Sequence, residues 1–239
     1  MQGIVFFVGV IGNIISVLMF LSPVKTFLRI VSKKSTEEFD SLPYICTLLN
    51  SSLWTYYGIT KPGSYLVATV NGFGVVVEII YVALFLLFAP PRKRAKTAIL
   101  FVVVDVGLLA AAMSITYFLM SGDMKINTIG FMCSGLNVIM YASPLSAMKT
   151  VVTRKSVEYM PFLLSFFLFL NGAVWTFYAV LVKDWFLGVP SGIGFVFGTV
   201  QVVLYAMYRN SKPISKHLAP DFEEGLQTQE PLLPTSSQS

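Results

Sequence analysis

The sequence predicts an all-α integral membrane protein in which seven transmembrane helices form two parallel triple-helix bundles joined by a linker helix. Two observations predict it. Of the 239 residues, 55% are hydrophobic and only 12% charged, with a mean hydropathy of +0.73, outside the composition of a water-soluble domain. The chain also repeats itself. Leu21-Ser22-Pro23-Val24 returns 121 positions later as Ala142-Ser143-Pro144-Leu145, and Lys34-Ser35-Thr36-Glu37 as Lys155-Ser156-Val157-Glu158. Leu53-Trp54-Thr55-Tyr56-Tyr57 returns at the same interval as Val174-Trp175-Thr176-Phe177-Tyr178, and Asn71-Gly72-Phe73-Gly74 returns 120 positions on as Ser191-Gly192-Ile193-Gly194.

A helix crosses the hydrocarbon core with about 20 apolar residues. The first such run, 4–24, stops at Lys25; the second, 42–60, has Pro43 in its first turn and stops at Lys61-Pro62-Gly63; the third, 65–89, stops at Pro90-Pro91. The fourth, 97–119, has no counterpart in the repeat. The runs 127–148, 160–182 and 186–208 then copy the first three. Three spans per copy is an odd number, so a single extra span must re-orient the chain for both copies to insert the same way round. The expected organisation is a first bundle at 1–90, the linker helix and its flanking loops at 91–126, a second bundle at 127–209 and a polar tail at 210–239. Pro213, Pro220, Pro231 and Pro234 and the loss of apolar periodicity mark that tail as disordered and cytoplasmic. Its Glu230-Pro231-Leu232-Leu233 matches a dileucine sorting signal only loosely, and an idle tail is the better reading. Met1-Gln2-Gly3 lacks the basic region of a cleavable signal peptide, and the first apolar run is long enough to span.

Charge sets the orientation. Of 17 Lys and Arg, all but Lys61, Lys125 and Lys183 fall in the loops after the first, third and fifth spans or in the tail, which puts the tail in the cytoplasm. The net charge of +5 is thereby explained without a nucleic-acid partner; the lipid bilayer is what these residues face. The only His, His217, lies in the tail, and Cys46 and Cys133 lie inside separate spans. No Ser-His or Cys-His couple, no catalytic residue, no metal site and no cofactor is expected, and the chain reads as no enzyme.

Two acids, Glu78 and Asp105, fall within spans, where a carboxylate is by default a functional suspect. Neither recurs in the other copy. Proton coupling through Glu78 and a hydrogen-bonded structural role both remain open; Asp105 reads as a helix-packing contact. A central site is instead expected from matched positions. Ser16 pairs with Asn137, Met19 with Met140, Asn50 with Asn171, Trp54 with Trp175 and Asn71 with Ser191. Ser16 and Asn137 stand seven residues, roughly 10 Å, before Pro23 and Pro144. Asn50 and Trp54, like Asn171 and Trp175, are four apart and share a helical face. Uncharged amides and hydroxyls flanked by two indoles suit a sugar, which needs partners for its hydroxyls and flat apolar surfaces for its C–H faces. Single Asn or Ser residues at helix contacts are as often structural glue; five matched pairs favour a site. Pro23, Pro43, Pro144 and Pro161 occupy matching cytoplasmic ends of the first and second helix of each copy and suggest hinges. Gly72-Phe73-Gly74 and Gly192-Ile193-Gly194 have no strand context for a nucleotide loop, and close helix packing explains them better.

With these prolines, Lys34-Ser35-Thr36-Glu37, Asn71-Gly72, the paired Trp and the three-one-three layout, residues 4–210 resemble the SWEET sugar facilitators. The stretches Ser35-Thr36-Glu37-Glu38-Phe39 and Leu48-Leu49-Asn50-Ser51-Ser52-Leu53-Trp54 look closest to the plant branch associated with the vacuolar membrane. The resemblance implies a binding site at Asn71, Trp54 and Trp175, with Ser191 where the family has a second asparagine. It implies a complete proline tetrad, a non-cytoplasmic gate at Tyr57, Tyr178 and Asp184, alternating access, and homo-oligomers with a path in each protomer. The expected cargo is a monosaccharide, glucose or fructose, moved down its gradient, since Met19, Met140, Asn50 and Asn171 add bulk that disfavours sucrose. The alternatives are a proton-coupled sugar or amino-acid carrier using Glu78, and a seven-helix receptor. The repeat, the short loops and the absence of Asp-Arg-Tyr after the third span argue against the receptor.

Overall fold

A computed structural model describes residues 2–157, 160 and 162–210. Pro161 and the tail beyond Asn210, with His217 and the dileucine-like stretch, lie outside the described residues. Seven helices follow one another: α1 Gln2–Lys33, α2 Leu42–Thr60, α3 Tyr65–Phe88, α4 Pro91–Leu119, α5 Gly122–Arg154, α6 Phe162–Val182 and α7 Trp185–Tyr208. Six are long and apolar enough to cross a membrane by length and composition. The other, α2, carries Thr47, Asn50, Ser51, Ser52 and Thr55 in 19 residues, because it supplies much of the polar interior.

Helices α1 and α5 run beyond the spans expected for them. Pro23 and Pro144 do not sit at helix ends but interrupt long helices that continue to Lys33 and Arg154, a correction to the positions read from sequence. Pro23 has no N–H to give the Met19 carbonyl, four residues back. Ser22 N donates to that carbonyl instead, at 3.1 Å, and helix resumes when Phe27 N reaches Pro23 O. Pro43 does stand in the first turn of its helix. Both long helices stop at a left-handed lysine, Lys34 with φ 49° and Lys155 with φ 48°, so the Lys-Ser repeat is a matched pair of C-caps. Helix α5 begins at Gly122, inside the segment assigned to the linker, since Lys125 folds its ammonium over the rings of Tyr117 and Tyr56 at 5.0 and 5.6 Å rather than ending the helix.

Within each copy the third helix lies between the first and second: α3 packs on α1 and α2, and α7 packs on α5 and α6. The copies then meet along two seams, α1 against α6 and α2 against α5, closing a six-helix ring, while α4 packs outside on α2, α3 and α5. The outward surface is Phe6, Phe7, Val102, Phe118, Ile139 and Val180, apolar and exposed because lipid, not water, faces it. Close approach between helices rests on small residues. Gly58 of α2 lies against Ala68 of α3, where an added Cβ would stand 2.5 Å from the Ala68 nitrogen. The matching contact in the second copy is Ala179 against Gly188, with the glycine on the other helix. Gly74 and Gly194 receive the rings of Phe20 and Tyr141, as packing predicts, but nothing lies within 4 Å of a Cβ at Gly192.

Pro190, inside α7, has no counterpart in the first copy, which has Val70 there. It leaves the Phe186 carbonyl without its helical donor. Ser134 Oγ of α5 supplies one at 2.6 Å, and Tyr141 OH donates to the Pro190 carbonyl at 2.6 Å. The loop between α1 and α2 is pinned by Glu37, itself at φ 44°, whose carboxylate pairs with Arg29 and Lys33 at 2.7 Å each. Lys93 of α4 donates to the Glu37 carbonyl at 2.6 Å and ties this loop to the linker helix.

Candidate functional site

A cavity of about 410 Å³ lies on the axis between the two bundles. Ser16, Met19, Asn50, Trp54, Asn71, Asn137, Asn171, Trp175 and Ser191 are brought together on its wall, with Pro23 and Pro43 toward one end. Met140 is half-buried and lies off the wall; Pro144 is also off it. A larger outward concavity between α6 and α7, lined by residues such as Val180, Val189 and Val196, presents a mostly apolar surface.

The two indoles sit in matched frames. Trp54 meets Tyr57 edge to face at 5.4 Å between centroids, and Trp175 meets Tyr178 at 5.3 Å. Polar contacts break the symmetry. Trp175 Nε1 donates to Ser16 Oγ at 2.9 Å, and Ser16 Oγ donates to Asn171 Oδ1 at 2.7 Å, linking α6 to α1 across a seam. Asn71 Nδ2 turns back to the Val67 carbonyl at 2.8 Å. Glu78 also reaches the wall, 3% exposed, with Oε2 unpartnered among the described residues. Asp105 is buried in a π-helical stretch of α4, Phe101–Leu108, and neither carboxylate oxygen has a partner there; the packing contact expected of it brings no hydrogen bond.

One end of the cavity is shut. Tyr57, Tyr178 and Asp184 are buried between the bundles, and Tyr57 OH donates to both Asp184 oxygens at 3.0 Å. Lys61 Nζ pairs with Asp184 Oδ2 at 2.7 Å and donates to Tyr57 OH at 3.0 Å. Asp184 also caps α7 by accepting from Leu187 N. At the opposite end the walls are Pro23, Tyr44, Thr47 and Pro43, the last exposed and the others half-buried, and the cavity opens between them. A site between two bundles that is locked at one mouth and open at the other has the geometry of one state of a carrier.

Sequence reasoning missed Lys61, the cation of the lock, and the wall residues Phe20, Tyr44, Thr47, Tyr141, Leu168 and Leu187. Phe20 and Tyr141 had a signal, since they too are 121 apart. Lys61 had one as well: it is among the few basic residues on the side of Asp184.

Fold and cavity define a multi-pass membrane transporter. A family model described as a sugar efflux transporter for intercellular exchange matches residues 6–94 and 127–213, one match per bundle. The chain is 60% identical over 235 residues to the bidirectional sugar transporter SWEET17 of Arabidopsis thaliana, covering 95% of this chain and 98% of that one. It is 54% identical to SWEET16 of the same plant, covering 98% and 100%. A eukaryotic SWEET transporter solved at 3.7 Å superposes with a TM-score of 0.83 at 39% identity, covering 86% of this chain and 96% of that one. The chain belongs to the SWEET family.

Proposed function

We infer that this protein is a facilitative transporter that moves monosaccharides, glucose or fructose, down their gradient by alternating access. The observation that carries the reading is the pair of indoles, Trp54 and Trp175, facing one cavity with Asn50, Asn71, Asn137, Asn171 and Ser191 around them. Glu78 is the one ionisable carboxyl among the wall residues, and the flat surfaces and amides match a sugar's two chemistries. The cavity volume lies toward the lower end of the range of about 300–1,000 Å³ usual for small-molecule sites, which favours a single ring. The mouth that is open bears Pro23 and Pro43 and, by the distribution of Lys and Arg, faces the cytoplasm along with the C-terminus. Pro23, Pro43, Pro144 and Pro161 act as hinges of the rocking bundles, and Tyr57, Tyr178 and Asp184 as the gate on the far side.

The vacuolar membrane is the address this reading favours, on the resemblance to the branch described above, and homo-oligomers with one path per protomer are the assembly. Uptake of radiolabelled glucose, fructose and sucrose in cells lacking their own transporters tests the function, with a fluorescent tag to report location. Hexose uptake and efflux should be comparable and indifferent to protonophores, and Glu78→Gln should retain them. Accumulation that collapses with the proton gradient would make Glu78 a proton carrier instead.

A further inference from the structure

The cavity's two walls differ in what their polar groups already do. On the α1–α6 seam, the single Ser16 proton goes to Asn171 Oδ1 while the serine oxygen takes the Trp175 N–H, so the indole N–H and the amide oxygen are both committed within the protein. Gly12, one turn before Ser16, makes room for this: a Cβ there would stand 3.0 Å from Trp175 Cε2. On the α2–α5 seam the repeat puts Asn137 where Ser16 stands, and no such relay forms. Trp54 lines the cavity without entering such a relay, and the buried Asn50 Oδ1 has no donor among the described residues. Asn71 spends one N–H on Val67 O and keeps the other, together with its oxygen. An unmet buried acceptor is a standing cost that a cargo hydroxyl removes by donating to it, and the same hydroxyl's oxygen can take an indole N–H.

We propose that Ser16 is a positioning residue that preassembles Trp175 and Asn171 into a stacking wall, leaving the reading of sugar hydroxyls to Asn50, Trp54, Asn71 and Asn137. The cargo then sits in one preferred orientation despite the near two-fold symmetry, with its hydroxyl-rich edge toward α2, α3 and α5. This rests on the sugar-transport reading and deepens it.

The test is hexose uptake by the purified full-length protein in liposomes, with each variant first checked as monodisperse. Trp54→Phe keeps a ring but loses the N–H, and should raise KM by about two- to tenfold, the worth of one neutral hydrogen bond. Ser16→Ala should raise KM by a similar factor, about two- to tenfold, and Ser16→Thr, which keeps the hydroxyl, should restore it. In double-mutant cycles Ser16→Ala should add less to Trp175→Phe than it costs alone, since the two share one bond and only the bond to Asn171 is left to lose, but should multiply the full effect of Trp54→Phe. A set of singly deoxygenated glucoses locates the hydroxyl that is read: the penalty for its loss should vanish in Asn50→Ala or Trp54→Phe and persist in Ser16→Ala. If Ser16→Ala is not rescued by threonine, or couples equally to both tryptophans, the two-wall assignment is overturned while sugar transport stands. A wild-type protein that moves no sugar removes the parent reading itself.

Discussion

Asp184 holds more of the closed end than any other side chain, because it accepts from Tyr57, from Lys61 and from the first turn of α7 at once. Replacing it by Asn leaves the Lys61 ammonium beside a phenol with no counter-charge. Removing one partner of a fully buried pair costs about 3–5 kcal/mol, but the Lys61 side chain is a quarter exposed and regains water, so about 1–3 kcal/mol is expected here. Each 1.4 kcal/mol is tenfold in population, so Asp184→Asn should open this mouth measurably. Cys133, fully buried in the cluster with Trp54 and Tyr57, is a native reporter. With Cys46 replaced by Ala, a water-soluble maleimide should label it faster in Asp184→Asn than in the parent; equal rates would show that the lock lies elsewhere. Glu37, in the loop outside the membrane, behaves differently. Its hydrogen bond from Lys33, and next that from Arg29, holds its carboxyl below the usual glutamate range. A lowered folded pKa means that its contribution is complete above the unfolded value, about pH 4.3, and is lost as pH falls through the lower folded one. Thermal stability in detergent should therefore be the same for parent and Glu37→Gln in their pH response from 7 to 5, and differ only in more acidic buffer.

Helices here are held at two kinds of contact, ring against glycine and small residue against small residue, and they differ in tolerance. At Gly58 the obstacle is the backbone of α3, with Ala68 N 2.5 Å and its Cα 2.9 Å from an added Cβ, so the helix must move rather than a side chain. Gly58→Ala should lower stability by about 1–3 kcal/mol, the usual cost of overpacking. Gly135→Ala, with nothing within 4 Å, should leave it unchanged or raise it slightly. Melting of the two variants in one detergent separates these outcomes, and equal shifts would contradict the packing account. The number and order of helices were legible because a repeat and a span length are written directly in the chain. Their ends were less so. A hydropathy run stops at the first basic residue, while a helix continues wherever its polar groups find partners, as α1 does past Pro23 to Lys33 and α5 does back to Gly122. The repeat offset picked out residues that now share the cavity wall, Met140 excepted, because matched positions around a two-fold must lie at matched depths. It was blind to Lys61 and to the Ser16 relay, since each depends on a contact between the copies that no offset within them encodes.

At the scale of the whole molecule, two bundles meeting along two seams can rock without breaking either bundle's interior. The cavity wall sets what passes. Met19 lies on it and Met140 does not, so Met19→Val should admit sucrose to a greater degree than Met140→Val, with a gain of a fewfold rather than a full switch because methionine is flexible enough to yield. Competition of unlabelled sucrose against labelled hexose measures it; an equal gain from both variants would mean that Met140 joins the wall in another state. The two copies also diverged in a coordinated way. Where the first places glycine on α2 and alanine on α3, the second places alanine on α6 and glycine on α7, each leaving room for one methyl. A bundle is thus the smallest exchangeable part: a chimaera carrying α6 in place of α2 sets two methyls against each other, the reverse graft leaves a gap, and only transplanting three helices together preserves the fit.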